Sequence, residues 1–324
     1  MTQVDVVIIG ASLAGSACVR ELARAGVDAV AIEREKFPRE RVCGGFLSPG
    51  AVSILEGLDV LKDLHRAGAV EIHGAKLRTA GAVTEFPFRR CGLGISRGNL
   101  DAIMAKHSAV QQGTVSSVEA RNDGKFSVRL QSGREFSARV VIDAAGKLTR
   151  FGKLATSAEF GIQYYEDESR GDVMDFWIFQ EGYGGAVSIE GGRSNACFLI
   201  KKDAVPRYVD KAQSVTGPIS YRSTASDFIS VGDAAGMIDP FCGEGMHHAL
   251  HTGQLAAASV IRGFENGWSY LQMRQHYEGE RTGHWGRKRA MARVARHALQ
   301  YSGIVNAALR WNAGWLLDSF WGDR

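Results

Sequence analysis

A glycine turn at Gly10 and Gly15, acids at Glu33 and Asp233, a thiol at Cys43 and a run of histidines at His247, His248 and His251 are the residues best suited to hold a ligand or to do chemistry. The turn reads Gly10-Ala-Ser-Leu-Ala-Gly15-Ser. Gly10 permits a tight turn, Ser12 stands where a second glycine commonly lets backbone approach a pyrophosphate, and Gly15 lets the following helix pack closely on its sheet. A helix beginning there points N–H groups and its dipole at phosphates. Glu33, about 20 residues further on, is placed to accept hydrogen bonds from ribose hydroxyls. A carboxylate there argues against a 2′-phosphate, so the segment suits NAD or FAD without choosing between them. His247 and His251 stand at i and i+4 on a predicted helix, a spacing zinc accepts. No Glu stands between them as in HExxH, and no metal is expected; His247 or His248 is instead a candidate proton donor.

The elements that must position these residues follow from local pattern. Val4 to Ile9 is a β-branched apolar run that predicts a buried parallel strand. CVRELARAG carries a helical stripe at Val19, Leu22 and Ala23, Gly26 stops it, and VDAVAIE resumes as a strand ending at Glu33. Further on, GTVSSVEA and GKFSVRL alternate as in a β-meander, and Ala138 to Asp143 is a strand ending at Ala144-Ala145-Gly146. Phe228 to Val231 is another strand, Gly232-Asp233 follows it, and GEGMHHAL opens a long helix.

Together, the glycine turn with Glu33, the VVIDAAG strand end and GDAAGMIDPFCGEG resemble the flavoprotein superfamily of the para-hydroxybenzoate hydroxylase type, whose relatives include a geranylgeranyl reductase branch and the flavin halogenases. The resemblance implies an α/β, glutathione reductase-type FAD fold: a Rossmann-type FAD-binding domain, an inserted β-sheet substrate domain and C-terminal helices. It implies that Asp233 binds the ribityl chain, and that Gly243, Glu244, Gly245 and Met246 face the pyrophosphate and flavin ring. An acid satisfies polyol hydroxyls, and N–H groups at a helix start stabilise an anion. KFPRERVCGGFLSPG is similar to the segment after the second strand in the geranylgeranyl reductase branch, where the Cys-Gly-Gly turn lies beside the isoalloxazine. That implies Arg41 at the pyrophosphate and Cys43 and Gly44 near the ring, with Cys43 a catalytic candidate. Arg97 in GISRGNLDAIM matches the family's Arg before a helix that supports the cofactor. Ala14, Arg34, Val115, Ala145 and Gly146 complete the expected cofactor contacts. Ala145 departs from the Asp usual there in the hydroxylases, and the halogenases' Trp-x-Trp-x-Ile-Pro segment is absent; Trp177 in DFWIF does not replace it.

The division expected is an FAD-binding domain from 1–75, 91–150 and 222–265, a substrate domain from 76–90 and 151–221, and a helical tail at 266–324. The substrate stretch alternates like antiparallel strands and carries Phe160, Tyr164, Tyr165, Phe176, Trp177 and Phe179. The tail crowds Arg287, Lys288, Arg289, Arg293 and Arg296 before Trp311, Trp315, Phe320 and Trp321. It reads as helices docked on the cofactor domain, with contact to a membrane surface as the alternative. Across 324 residues, 39 basic side chains face 35 acidic ones, too even a balance for a nucleic-acid partner. Five scattered cysteines with no CxxC pair speak against a disulfide framework and for a reducing cytoplasm. The expected activity is that of an FAD-dependent, monooxygenase-like oxidoreductase acting on an apolar or aromatic biosynthetic intermediate, with NAD(P)H a transient electron donor. A flavin-dependent reductase of isoprenoid double bonds and a non-enzymatic flavin-binding protein are the alternatives.

Overall fold

The computed structural model describes residues 1–106, 108–151, 155–221 and 226–298. Its first sheet is centred on β1 (Thr2–Ile9), with β2 (Ala29–Glu33) parallel on one side and β9 (Glu135–Asp143) parallel on the other. β6 (Val110–Gln112) extends it beyond β2, and β17 (Ile229–Ser230) runs parallel to the end of β9. The antiparallel meander of β7 (Val115–Ala120) and β8 (Phe126–Leu130) pairs with the start of β9. Alternation along β1 builds two cores, as period-2 side chains must. Val6 and Ile8 pack under α1 (Leu13–Arg24), α5 (Gly245–Glu265) and α6 (Tyr270–Ala298), while Val7 and Ile9 pack with Val128, Phe136 and Val141 on the other face. α1 and α5 approach so closely that a Cβ at Gly253 would lie 2.3 Å from the Ala14 carbonyl oxygen.

The second sheet has the order β15-β11-β14-β13-β12-β4-β5-β3, from β3 (Phe46–Leu47), β4 (Val70–Arg78), β5 (Val83–Gly94), β11 (Glu159–Glu166), β12 (Val173–Phe179), β13 (Gly182–Ile189), β14 (Arg193–Lys201) and β15 (Ser214–Thr216). Its pairs are antiparallel except β4 with β12, where Gly74 to Arg78 run parallel to Val173 to Trp177. β10 (Ala155–Thr156) and β16 (Ser220–Tyr221) form a separate short pair. α2 (Pro49–Gly57), α3 (Leu61–Arg66) and α4 (Arg97–Lys106) share a core of Leu55, Leu58, Leu64, Leu100 and Met104 with Leu250 of α5.

One expectation changes here. Residues 70–75 and 91–94, allotted to the cofactor domain, pair within the second sheet, because β4 and β5 form one long hairpin that the division at 75 and 91 cut through. Part of the basic run on α6 faces inward. Arg289 donates to the Gly236 carbonyl at 2.6 Å, and the Lys288 ammonium sits 5.2 Å over the Trp285 ring. α6 is docked through Tyr277, whose hydroxyl donates to the Ser230 carbonyl at 2.6 Å, and through fully buried Trp285. Trp311, Trp315, Phe320 and Trp321 lie outside the described residues. Among the described residues no helix is long and apolar enough to cross a membrane.

Candidate functional site

The glycine turn closes between β1 and α1 with little room to spare. Gly10 adopts φ +104° and a Cβ there would lie 2.5 Å from the Ala144 carbonyl oxygen; a Cβ at Gly15 would lie 1.9 Å from the Gly10 carbonyl oxygen. Ser12 is the N-cap of α1 but makes no side-chain capping bond. Its hydroxyl instead accepts from Arg97 Nη2 at 2.8 Å and lies 3.2 Å from both Asp101 carboxylate oxygens. The first N–H groups of α1 therefore stay open to an anion.

A buried charge network stands against that helix start. Glu33 accepts from the Ala11 N–H, the Glu35 N–H and Arg39 Nη2, each at 3.0 Å. Arg39 Nη2 reaches Asp101 at 3.9 Å, and Asp101, fully buried, accepts from Arg97 Nη2 at 3.0 Å. Burial works against the Arg97 cation, yet Asp101 and then Cys43 hold its guanidinium above the usual range. Arg39 Nε and Arg97 Nε are buried donors without a hydrogen-bond partner. An uncapped helix start beside two such guanidiniums fits a pyrophosphate, and a buried carboxylate at the end of β2 fits a ribose. Arg39 and Asp101 escaped the sequence reading. KFPRER offers three cations with nothing to rank them, and Asp101 reads as a surface acid on α4.

A cavity of about 300 Å³ joins this cradle to the second sheet. On the cradle side it is lined by Ser12, Ala14, Cys43, Gly44, Arg97, Gly146, Asp233, Gly243, Gly245 and Met246. On the sheet side lie Met174, Phe176, Tyr183, Phe198, Leu199 and Ile219. Of the six aromatic residues expected on the substrate sheet, Phe176 is the one in this wall; Phe198 and Tyr183 were not singled out. Burial pushes the Asp233 carboxyl up, and Arg97, Lys147, Arg289 and Arg41 oppose it. The Cys43 carbonyl accepts from Asn195 Nδ2 at 2.8 Å, which ties the Cys-Gly-Gly turn to β14. α5 starts at this wall with Glu244 as an N-cap that makes no side-chain cap.

Several expected contacts lie away from the cavity. Gly10 and Gly15 sit behind its wall, as packing glycines. Arg34 pairs with Glu35 at 3.2 Å on the exposed side of β2, and Arg41 reaches the same Glu35 at 3.3 Å. Val115 and Ala145 pack on the meander side of the first sheet. Gly113, two residues before Val115, donates its N–H to the Glu33 carbonyl at 2.8 Å. Glu244 is buried against His247 and Lys288.

Neither His247 nor His248 is among the residues that line the cavity. Met246 and Ala249 of α5 line the cavity and Gly253 packs on α1, which turns the histidine face toward α2 and α6. His247 Nδ1 lies 2.5 Å from Glu244 Oε2, and its ring stands against Gly50. His248 is fully buried edge-on to Trp285, centroids 4.9 Å apart, with neither ring nitrogen hydrogen-bonded. Burial, then Arg289 and Arg281, hold His248 well below the usual imidazole value. The folded state thus refuses a proton that the unfolded chain accepts, and stability falls as pH drops below the unfolded value of about 6.5. A His248→Phe variant is expected to melt no lower than the parent at pH 7.5 and to lose less Tm between pH 7 and 5. Part of the slope remains from His251, pushed down to about 3 by burial and by His284. Thermal melts across that range check this, and parallel slopes for parent and variant would refute it. Among the described residues no three His, Cys, Asp or Glu side chains are grouped to hold a metal ion.

Comparison with known proteins agrees with this cradle. Residues 3–144 match the FAD binding domain family. The chain is 26% identical over 336 residues to the menaquinone reductase of Mycolicibacterium smegmatis, covering 85% of this chain and 81% of that protein. It is 24% identical to digeranylgeranylglycerophospholipid reductase 1 of Methanothermobacter thermautotrophicus, covering 81% and 79%. In fold it is similar to PqsL of Pseudomonas aeruginosa, described as a "probable FAD-dependent monooxygenase" and solved with 2-aminobenzoylacetate. In that complex the TM-score is 0.80 at 16% identity, over 94% of this chain and 100% of PqsL.

Proposed function

We propose that the chain is an FAD-dependent oxidoreductase of the para-hydroxybenzoate hydroxylase-like superfamily that oxygenates an apolar or aromatic small molecule, with NAD(P)H as transient electron donor in a cytoplasmic setting. One observation carries the reading: a single cavity runs from the uncapped helix starts and Asp233 to a wall of Met174, Phe176, Phe198 and Leu199. Bound FAD supplies the redox chemistry, and the protein supplies position, charge and exclusion of water. Ser12, Arg97 and the starts of α1 and α5 hold its anionic parts, and Asp233 meets its polyol. The apolar sheet wall keeps bulk water from the reacting centre and orients the substrate against the ring.

A reductase of isoprenoid double bonds is the second reading. It is favoured by Cys43 in the cavity wall beside Arg97, and by the similarity to two reductases. Rapid mixing of the reduced, FAD-loaded protein with oxygenated buffer separates the two. The oxygenase is expected to pass through a discrete absorbance band before oxidised flavin returns. A direct, slow return to oxidised flavin would overturn the oxygenase reading in favour of the reductase.

A further inference from the structure

Two cysteines line the cavity, Cys43 on the cradle side and Cys197 on β14 of the second sheet. Strand pairing fixes how they meet. Side chains alternate along β14, so Asn195, Cys197 and Leu199 share one face, with Tyr165, Gln163 and Gly161 of β11 beside them in the same three rows. The Cys-Gly-Gly turn crosses that face. A Cβ at Gly161 would lie 3.2 Å from Val42 Cγ1, and in the Asn195 row Nδ2 donates to the Cys43 carbonyl at 2.8 Å. Cys43 therefore stands over the row between them, which is the row of Cys197. The neighbour of Cys197 on β13 is Gly185, so no side chain intervenes from that strand. Burial pushes the Cys197 thiol up, and the nearness of Cys43 adds to it. Arg97 stands within hydrogen-bonding reach of the Cys43 side chain, which sets a cation beside the sulfur on which charge develops when a disulfide opens.

We propose that Cys43 and Cys197 are a redox-active dithiol in the cavity wall that exchanges an electron pair with bound FAD. Closing the pair breaks both S–H bonds and joins the two sulfurs in one bond; the two electrons and one proton pass to the flavin, and the second proton leaves to solvent. Opening the disulfide reverses each transfer. Cys43, facing Arg97, is the sulfur that exchanges, and Cys197 resolves it. This goes beyond the FAD-dependent reading above and rests on it.

The test is an anaerobic dithionite titration of FAD-loaded protein that has first been oxidised with glutathione disulfide and then freed of it. The parent is expected to take up about four electrons per FAD, two for the disulfide and two for the flavin, and Cys197→Ala and Cys43→Ser about two each. Cys18→Ala, in the core beneath the first sheet, is expected to keep the parent's count. Peptide maps made without reductant, after trapping free thiols with N-ethylmaleimide, are expected to join Cys43 to Cys197 before the titration and to find them apart at its end. In protein stripped of FAD the same disulfide is expected to outlast the same dithionite; equal opening there would overturn the exchange with flavin. About two electrons per FAD in the parent would overturn the dithiol, as would a disulfide that joins other cysteines or survives the full titration. A chain that takes up no FAD overturns the reading beneath the proposal, which distinguishes that failure from a flavin-loaded parent with no disulfide to reduce.

Discussion

A Gly15→Ala variant is expected to purify without bound FAD and to melt well below the parent. The added Cβ would stand 1.9 Å from the Gly10 carbonyl oxygen, and the obstacle is backbone, not the far end of a flexible side chain. The turn is tight on its other side as well, since a Cβ at Gly10 would lie 2.5 Å from the Ala144 carbonyl oxygen. α1 must therefore shift along or away from β1, which moves its first N–H groups off the phosphate position and loosens its contact with α5. Forced overpacking of this kind costs about 1–3 kcal/mol or more, and positioning for an anion is lost with it. The control is Gly279→Ala on α6, where nothing lies within 4 Å and a helical glycine becomes alanine. It is expected to be neutral or stabilising by about 1 kcal/mol. Flavin absorbance per mole of protein and thermal melts read both variants. Full FAD content in Gly15→Ala would show that the turn does not hold the pyrophosphate.

The second large effect is expected at Asp101. This carboxylate is fully buried and is the ion-pair partner of Arg97, so Asp101→Asn leaves that buried guanidinium without its carboxylate, while Arg39 keeps Glu33. Breaking a buried pair from one side costs about 3–5 kcal/mol. The sign of the FAD effect follows from the same geometry. If the pyrophosphate lies against Arg97, its charge replaces part of what Asp101 supplied, and the stability deficit shrinks when FAD is bound. Urea unfolding of parent and Asp101→Asn, each with and without FAD, checks this. An equal deficit in both states would place the network away from the phosphates.

Much of this site was legible because a Rossmann unit is a local pattern. β1, the turn, α1, β2 and Glu33 occupy one short stretch whose periodicity and glycines suffice to place them, and Asp233 lies in a similarly compact one. What escaped depends on how distant elements meet. Asp101 becomes the hub of a buried network only because α4 crosses the start of α1. Arg39 turns inward while Arg41, two residues on, stays half-exposed on Glu35. The helical period sets His247 and His251 on one face, but the direction of that face is decided by Met246, Ala249 and Gly253 packing elsewhere. The limits of the second sheet were misjudged for a similar reason, since the alternation of residues 70–75 serves either layer equally well.

The parallel seam between β4 and β12 has a consequence for biosynthesis. A ribosome releases Val70 to Gly94 long before Val173 to Phe179, and Thr2 to Ile9 long before Glu135 to Asp143. Until those later strands emerge, the β4–β5 hairpin and the β1–β2 pair each present an open, hydrogen-bonding edge. Such edges are slow to close and prone to pair with other chains. Vectorial translation thus leaves both sheets unfinished at once, with open edges until Glu135 to Asp143 and Val173 to Phe179 have been made.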